Sequence, residues 1–215
     1  MMQEIEATVL AEASATPDTL PIRKRPRPGE RREQILQTLA EMLQVPKSDR
    51  ITTAALAARL AVSEAALYRH FASKAQMFEG LIEFIEQSIF GLINQIVERE
   101  EHGQQQVRAI MQMLMAFAEK NPGMTRMLTG EALVNENVRL HERMNQLLDR
   151  LEASFKQSLR IAVTQDPTAA SMLEPALRAS LLMSVVLGRW QRFTRSGFCK
   201  LPSEHLEALL RVLLV

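Results

Sequence analysis

Beyond residue 30, apolar side chains recur three and four positions apart along almost the whole chain, the spacing that gathers them on one stripe of an α-helix. Ile35, Leu36, Leu39, Met42 and Leu43 predict a first helix over 30–44, ended by Pro46. Phe78, Leu81, Ile82, Ile85, Ile89, Leu92, Ile93 and Ile96 predict a long one over 74–99. Val107, Ile110, Met111, Leu114 and Phe117 mark 104–120, where Asn121-Pro122-Gly123 breaks the chain. A short helix over 124–129 stops at Gly130, and a long one follows over 131–163 with Leu140, Met144, Leu147, Leu148, Leu151 and Phe155 inward. Pro175 opens a helix to about residue 195, with its true start left open by the TQDPT segment. Pro202-Ser203 opens the last, carrying Leu206, Leu209, Leu210, Leu213 and Leu214. No run alternates with period two, so the expected class is all-α.

One stretch departs from long amphipathic helices. Residues 52–71, TTAALAARLAVSEAALYRHF, pattern as two short helices joined by a tight turn at Ala61 and Val62. Thr52 or Thr53 can cap the first and Ser63 the second, each hydroxyl accepting from an otherwise unpaired backbone N–H. Glu64 suits the positive end of the second helix. That helix, 64–70, has one core residue, Leu67, between small Ala65 and Ala66 and polar Tyr68, Arg69 and His70. A slim, polar outer face is what a helix entering a DNA major groove requires, and a helix-turn-helix presents its second helix there. Thr52, Ser63, Glu64 and Ala65 are the candidates to face the groove, with Tyr68, Arg69 and His70 beside them.

Val62, Ser63, Leu67, Tyr68, His70, Phe71 and Lys74 form a Val-Ser-x-x-x-Leu-Tyr-x-His-Phe run with a trailing Lys. In this the chain resembles the DNA-binding domain of the TetR family. More narrowly, VSEAALYRHF, LIEFIE (81–86) and NPGMTRMLTG (121–130) resemble the nucleoid occlusion factors within that family, with similarity scattered from Arg31 to about Phe198. The resemblance implies a TetR-like fold: a three-helix DNA-binding domain at 30–73 and a helical C-terminal dimerisation and partner-binding domain at 74–215. It implies that Lys74, at the start of a helix capped by Ser73 with Gln76, reaches a phosphate. It also implies a homodimer on palindromic double-stranded DNA that, when bound, antagonises assembly of the cell-division protein FtsZ. The long basic arm, Ala72 in place of a common Pro, and positions 90–92 and 113–120 depart from the nucleoid-occlusion pattern.

Charge sharpens the picture. The formal net charge of the 215 residues is only +1, but it is unevenly spread. Residues 1–22 carry Glu4, Glu6, Glu12 and Asp18 without a basic group, whereas 23–32 carry Arg23, Lys24, Arg25, Arg27, Arg31 and Arg32 against Glu30. Residues 1–29 are therefore expected to be a disordered segment ending in a basic, proline-containing arm. Such an arm either tracks the DNA backbone and adjacent minor groove, with Arg31 and Arg32 contributing, or is a solvated linker. A single cysteine, Cys199, suits a reducing compartment. No signal-peptide pattern or membrane-length apolar run is present, so a cytoplasmic, nucleoid-associated protein is expected. The four histidines lack metal-ligand spacing, and no HExxH, nucleophile elbow or phosphate-cradling glycine loop occurs. No catalytic residue, metal or cofactor is expected.

Three alternatives stay open at this level. Phe84 falls off the main stripe of its helix, either packing on the DNA-binding domain or, with Asn121, forming part of the partner surface that the resemblance implies. The two C-terminal helices carry more apolar surface than one layer covers, completing either the monomer core or a four-helix dimer interface. A ligand-responsive repressor is the competing function, with Met111, Met113 and Met115 as candidate pocket lining rather than core filling.

Overall fold

The computed structural model describes residues 29–45, 51–134, 136–166 and 174–214. The expectation for the first twenty-eight residues and their basic arm, and those for the loops at 46–50 and 167–173, lie outside the described residues. All regular structure among the described residues is helical.

Three short helices form a head. Helix α1, Glu30–Leu43, buries Ile35, Leu36, Leu39, Ala40 and Leu43. Helix α2, Thr53–Arg59, adds Leu56 and Ala57, and α3, Glu64–Tyr68, adds Leu67. The turn between α2 and α3 is tightly closed. Val62 N–H donates to Ala57 O at 3.0 Å and Ala61 N–H to Ala58 O at 3.1 Å, with Ala61 itself left-handed at φ 52°. That places a Cβ-bearing residue where glycine is the ordinary choice. Helix α3 ends two residues earlier than expected, since Arg69 and His70 already belong to its closing turn.

Helix α4, Lys74–Arg99, runs out of the head and buries Phe78, Leu81, Ile82, Ile85, Ile89 and Ile93. Leu92, expected inside, is exposed, and Ile96 is only half-buried. The inward stripe thus ends at Ile93 rather than continuing along the last two turns.

The C-terminal body packs α5 (Gly103–Lys120), α6 (Pro122–Leu128), α7 (Val138–Gln165), α8 (Pro175–Arg195) and α9 (Leu206–Leu213). Helices α5 and α8 both lie on α7, and fully buried Trp190 of α8 donates its indole N–H to Leu114 O of α5 at 3.3 Å. Met111 and Met115 are fully buried in this core and Met113 half-buried. Three boundaries shift from expectation. Pro122 is the first residue of α6 rather than part of a break before it, because the missing N–H of proline costs nothing there. Glu131–Leu133 is a 3-10 turn, and α7 starts only where Asn137 accepts from Arg139 N–H. Pro202 and Ser203 sit in a turn, and α9 begins after His205.

The head is seated on the body at α6. A Cβ on Gly123 would lie 1.9 Å from Ala40 O, so the backbones of α1 and α6 meet there without side chains between them. One turn on, Arg126 Nη1 donates to Leu43 O at 3.0 Å and to Val45 O at 3.1 Å, satisfying carbonyls that the end of α1 leaves unpaired. Glu131 holds the other side of the same guanidinium at 2.9 Å. Farther along α4, the buried carboxylate of Glu86 pairs with Arg143 and Arg150 of α7, and the Arg150 guanidinium lies 4.2 Å from the Phe90 ring centre.

Candidate DNA interface

The outward face of α3 follows from its one buried residue. At ~100° per residue, Ala65 and Arg69 fall about 160° from Leu67, which is fully buried against the head core. Ser63, Glu64, Ala65, Tyr68, Arg69 and His70 are all exposed on the rest of that surface. Two hydroxyls are already committed: Thr52 Oγ1 accepts from Ala55 N–H at 3.1 Å and Ser63 Oγ from Ala66 N–H at 3.3 Å. Each leaves a lone pair and a rotatable proton outward. Thr53 Oγ1 donates to Glu64 Oε2 at 2.6 Å, tying the start of α2 to the start of α3. The Glu64 carboxylate is therefore a fixed group rather than a free surface acid.

The predicted cations divide. Arg31 lies half-buried in the first turn of α1. Arg32 lies over the Phe71 ring, 4.9 Å from its centre, and 3.7 Å from Glu83, bracing α1 against α4. Arg69 and His70 are exposed. Lys74, expected to reach a phosphate, has a partner within the chain. Its ammonium donates to Glu136 at 2.5 Å and sits 5.3 Å from the Phe78 ring centre. The cause is the loop before α7, whose position the continuous-helix expectation for 131–163 had concealed. Gln76 departs from a strict capping box too: Ser73 accepts from its backbone N–H, but its side chain reaches Ala72 N–H at 2.8 Å.

An open cleft of about 490 Å³ flanks this face, with His70 and Phe71 on one side, Gln76, Glu79 and Glu83 of α4 below, and Arg139, Glu142 and Arg143 of α7 opposite. Its lining mixes acids and bases. The residues proposed for partner binding lie elsewhere. Phe84 is half-buried against the core, and the Asn121 amide donates to Phe117 O at 2.8 Å, which closes α5. Asn121 is half-buried, and this bond has a local reason, its place just after α5, that the sequence signals once α5 is known to end at Lys120. The residues that sequence reading missed, Gly123, Arg126 and Glu136, act between segments far apart in the chain. Periodicity carries no signal for them.

The chain matches two family descriptions. Residues 48–81 match "Bacterial regulatory proteins, tetR family", and residues 102–214, more than half of the chain, match the SlmA-like "Tetracyclin repressor-like, C-terminal domain". The nucleoid occlusion factor SlmA of Idiomarina loihiensis is 49% identical over 183 residues, 85% of this chain and 93% of its own length. The chain belongs to the SlmA family of nucleoid occlusion factors. SlmA of Vibrio cholerae agrees, at 51% identity over 178 residues, 82% of this chain and 90% of that protein. In fold it is similar to the fatty acid degradation regulator FadR from Bacillus halodurans, with a TM-score of 0.72, 12% identity, and 88% and 97% of the two chains covered. The TetR-like, all-helical architecture and DNA-binding character expected from the signature run stand. No described helix is long and apolar enough to cross a membrane.

Proposed function

We propose that two copies of this SlmA-family chain bind a palindromic duplex on the nucleoid, and that the DNA-bound dimer blocks FtsZ assembly there. The observation that carries the reading is the capped helix α3. Its inward face is a single buried leucine, and its outward face holds a small side chain, a fixed carboxylate and polar groups. In this reading Thr52, Ser63, Glu64 and Ala65 face the groove, and Tyr68, Arg69, His70 and Lys74 meet the backbone with Arg31 and Arg32. Phosphate contacts set affinity, and groove contacts set which sequence is chosen.

The pairing surface is proposed on α8. Leu177 and Leu181, one turn apart, are 50% and 45% exposed, with Ser184 and Gly188 continuing the stripe and Val185 at its edge. On α9, Val212 is exposed as well. Unpaired leucines one turn apart beside a small-residue stripe support a helix from a second copy packing there. The FtsZ surface is proposed along α4, where half-buried Phe84 and Ser88 and exposed Leu92 succeed one another at four-residue steps. The Asn121 backbone, rather than its committed amide, would border it.

The test is FtsZ polymerisation followed by light scattering, with and without a duplex selected by the protein from a random pool. DNA-bound protein is expected to suppress polymer and free protein to do so less. Equal polymer under all conditions would overturn the FtsZ assignment while leaving the DNA one standing.

A further inference from the structure

We propose that Glu136 acts as an intramolecular substitute for a DNA phosphate, holding Lys74 in the free protein and so setting how tightly the head binds a duplex. The inference rests on the DNA-binding reading above. Lys74 is the first residue of α4 and lines one narrow crevice with Thr52 and Thr53 from the start of α2. Lys74 therefore lies beside the face proposed to meet the duplex, yet its ammonium is bonded to a carboxylate 62 residues further along the chain. Neither side chain is a loose surface group: Lys74 is 25% and Glu136 13% exposed.

The carboxylate is also presented by a built turn. Glu136 N–H donates to Leu133 O at 2.9 Å, the same carbonyl lies 3.0 Å from His141 Nε2, and Asn137 caps α7 immediately after. A phosphate oxygen and this carboxylate are alternative anions for one ammonium. Moving Lys74 onto DNA strands a mostly buried carboxylate without its cation, and that cost subtracts from binding. Glu136→Gln removes the charge while keeping the shape, so the subtraction disappears.

The full-length chain is first used to select a duplex from a random pool, and affinity is then measured over a salt series for wild type, Glu136→Gln, Glu136→Asp, Lys74→Ala and the Lys74→Ala/Glu136→Gln pair. Glu136→Gln is expected to tighten binding roughly fivefold at low salt. It should also steepen the log-affinity against log-salt slope by up to about 0.9, the increment for one phosphate contact. Glu136→Asp, which keeps the charge but withdraws it by one methylene, should fall between the two. With Lys74 already removed, Glu136→Gln should change nothing. Equal or weaker binding by Glu136→Gln overturns the proposal, as does the same gain in the Lys74→Ala background, which would mark a general loss of negative charge. If wild type enriches no duplex, the DNA-binding reading itself falls, a different failure from a duplex that binds both forms alike.

Discussion

Ala61 holds a left-handed backbone at the corner of the helix-turn-helix, a conformation that brings a Cβ too close to the following carbonyl and costs about 1–2 kcal/mol. Glycine has no such clash but loses more chain entropy on folding, about 0.5–1 kcal/mol. Ala61→Gly is therefore expected to stabilise the protein by about 0.5–1 kcal/mol, seen as a raised midpoint in urea denaturation with an unchanged slope. A lowered midpoint would mean that the methyl makes packing contacts worth more than the strain. Single residues also decide what the interface offers: Thr52 and Ser63 were legible as caps because an oxygen before a helix start has a local reason to be there. Lys74 was legible as a cation, but its pairing was not, since Glu136 enters from another part of the chain.

Between elements, α1 and α6 approach closely at Gly123. Gly123→Ala would drive a methyl carbon into Ala40 O, and backbone, unlike a side-chain tip, cannot swing aside. The substitution should cost about 2–3 kcal/mol, with the loss read by chemical denaturation. The same shift would loosen Arg126 from the end of α1 and turn the head relative to the body. The selected duplex should consequently change its preferred half-site spacing, a readout that a uniform loss of stability would not move. Helix existence was legible almost throughout, because apolar side chains at three- and four-residue steps must share one face. Helix ends were less so. Nothing in the run from Glu131 onward forbids helix, yet Gly130 at φ 75° leads into a 3-10 turn over Glu131–Leu133, and α7 begins only at the Asn137 cap.

For the whole molecule, the open choice was whether the C-terminal helices serve the core or a second subunit, and α8 is buried on one side and exposes leucines on the other. Leu182, Val186, Trp190 and Phe193 are buried inside one chain, while Leu177 and Leu181 face out. Leu181→Glu places a charge in the proposed pairing stripe without touching the core. Analytical ultracentrifugation is expected to show a monomer, and affinity for a palindromic duplex should fall about a hundredfold or more, because the second half-site no longer binds as part of the same particle. A dimer that survives this change would move the interface elsewhere.

Local chemistry was settled along the chain alone: the all-helical class, the signature run from Val62 to Lys74, and the caps that aim α3, since each depends on neighbours within a turn or two. What only the folded arrangement decided are the partners drawn from afar. Glu136 against Lys74, Gly123 against Ala40, Arg126 on the end of α1 and Glu86 between Arg143 and Arg150 join segments tens of residues apart. Such pairs are chosen by how the helices pack, and packing depends on every helix at once.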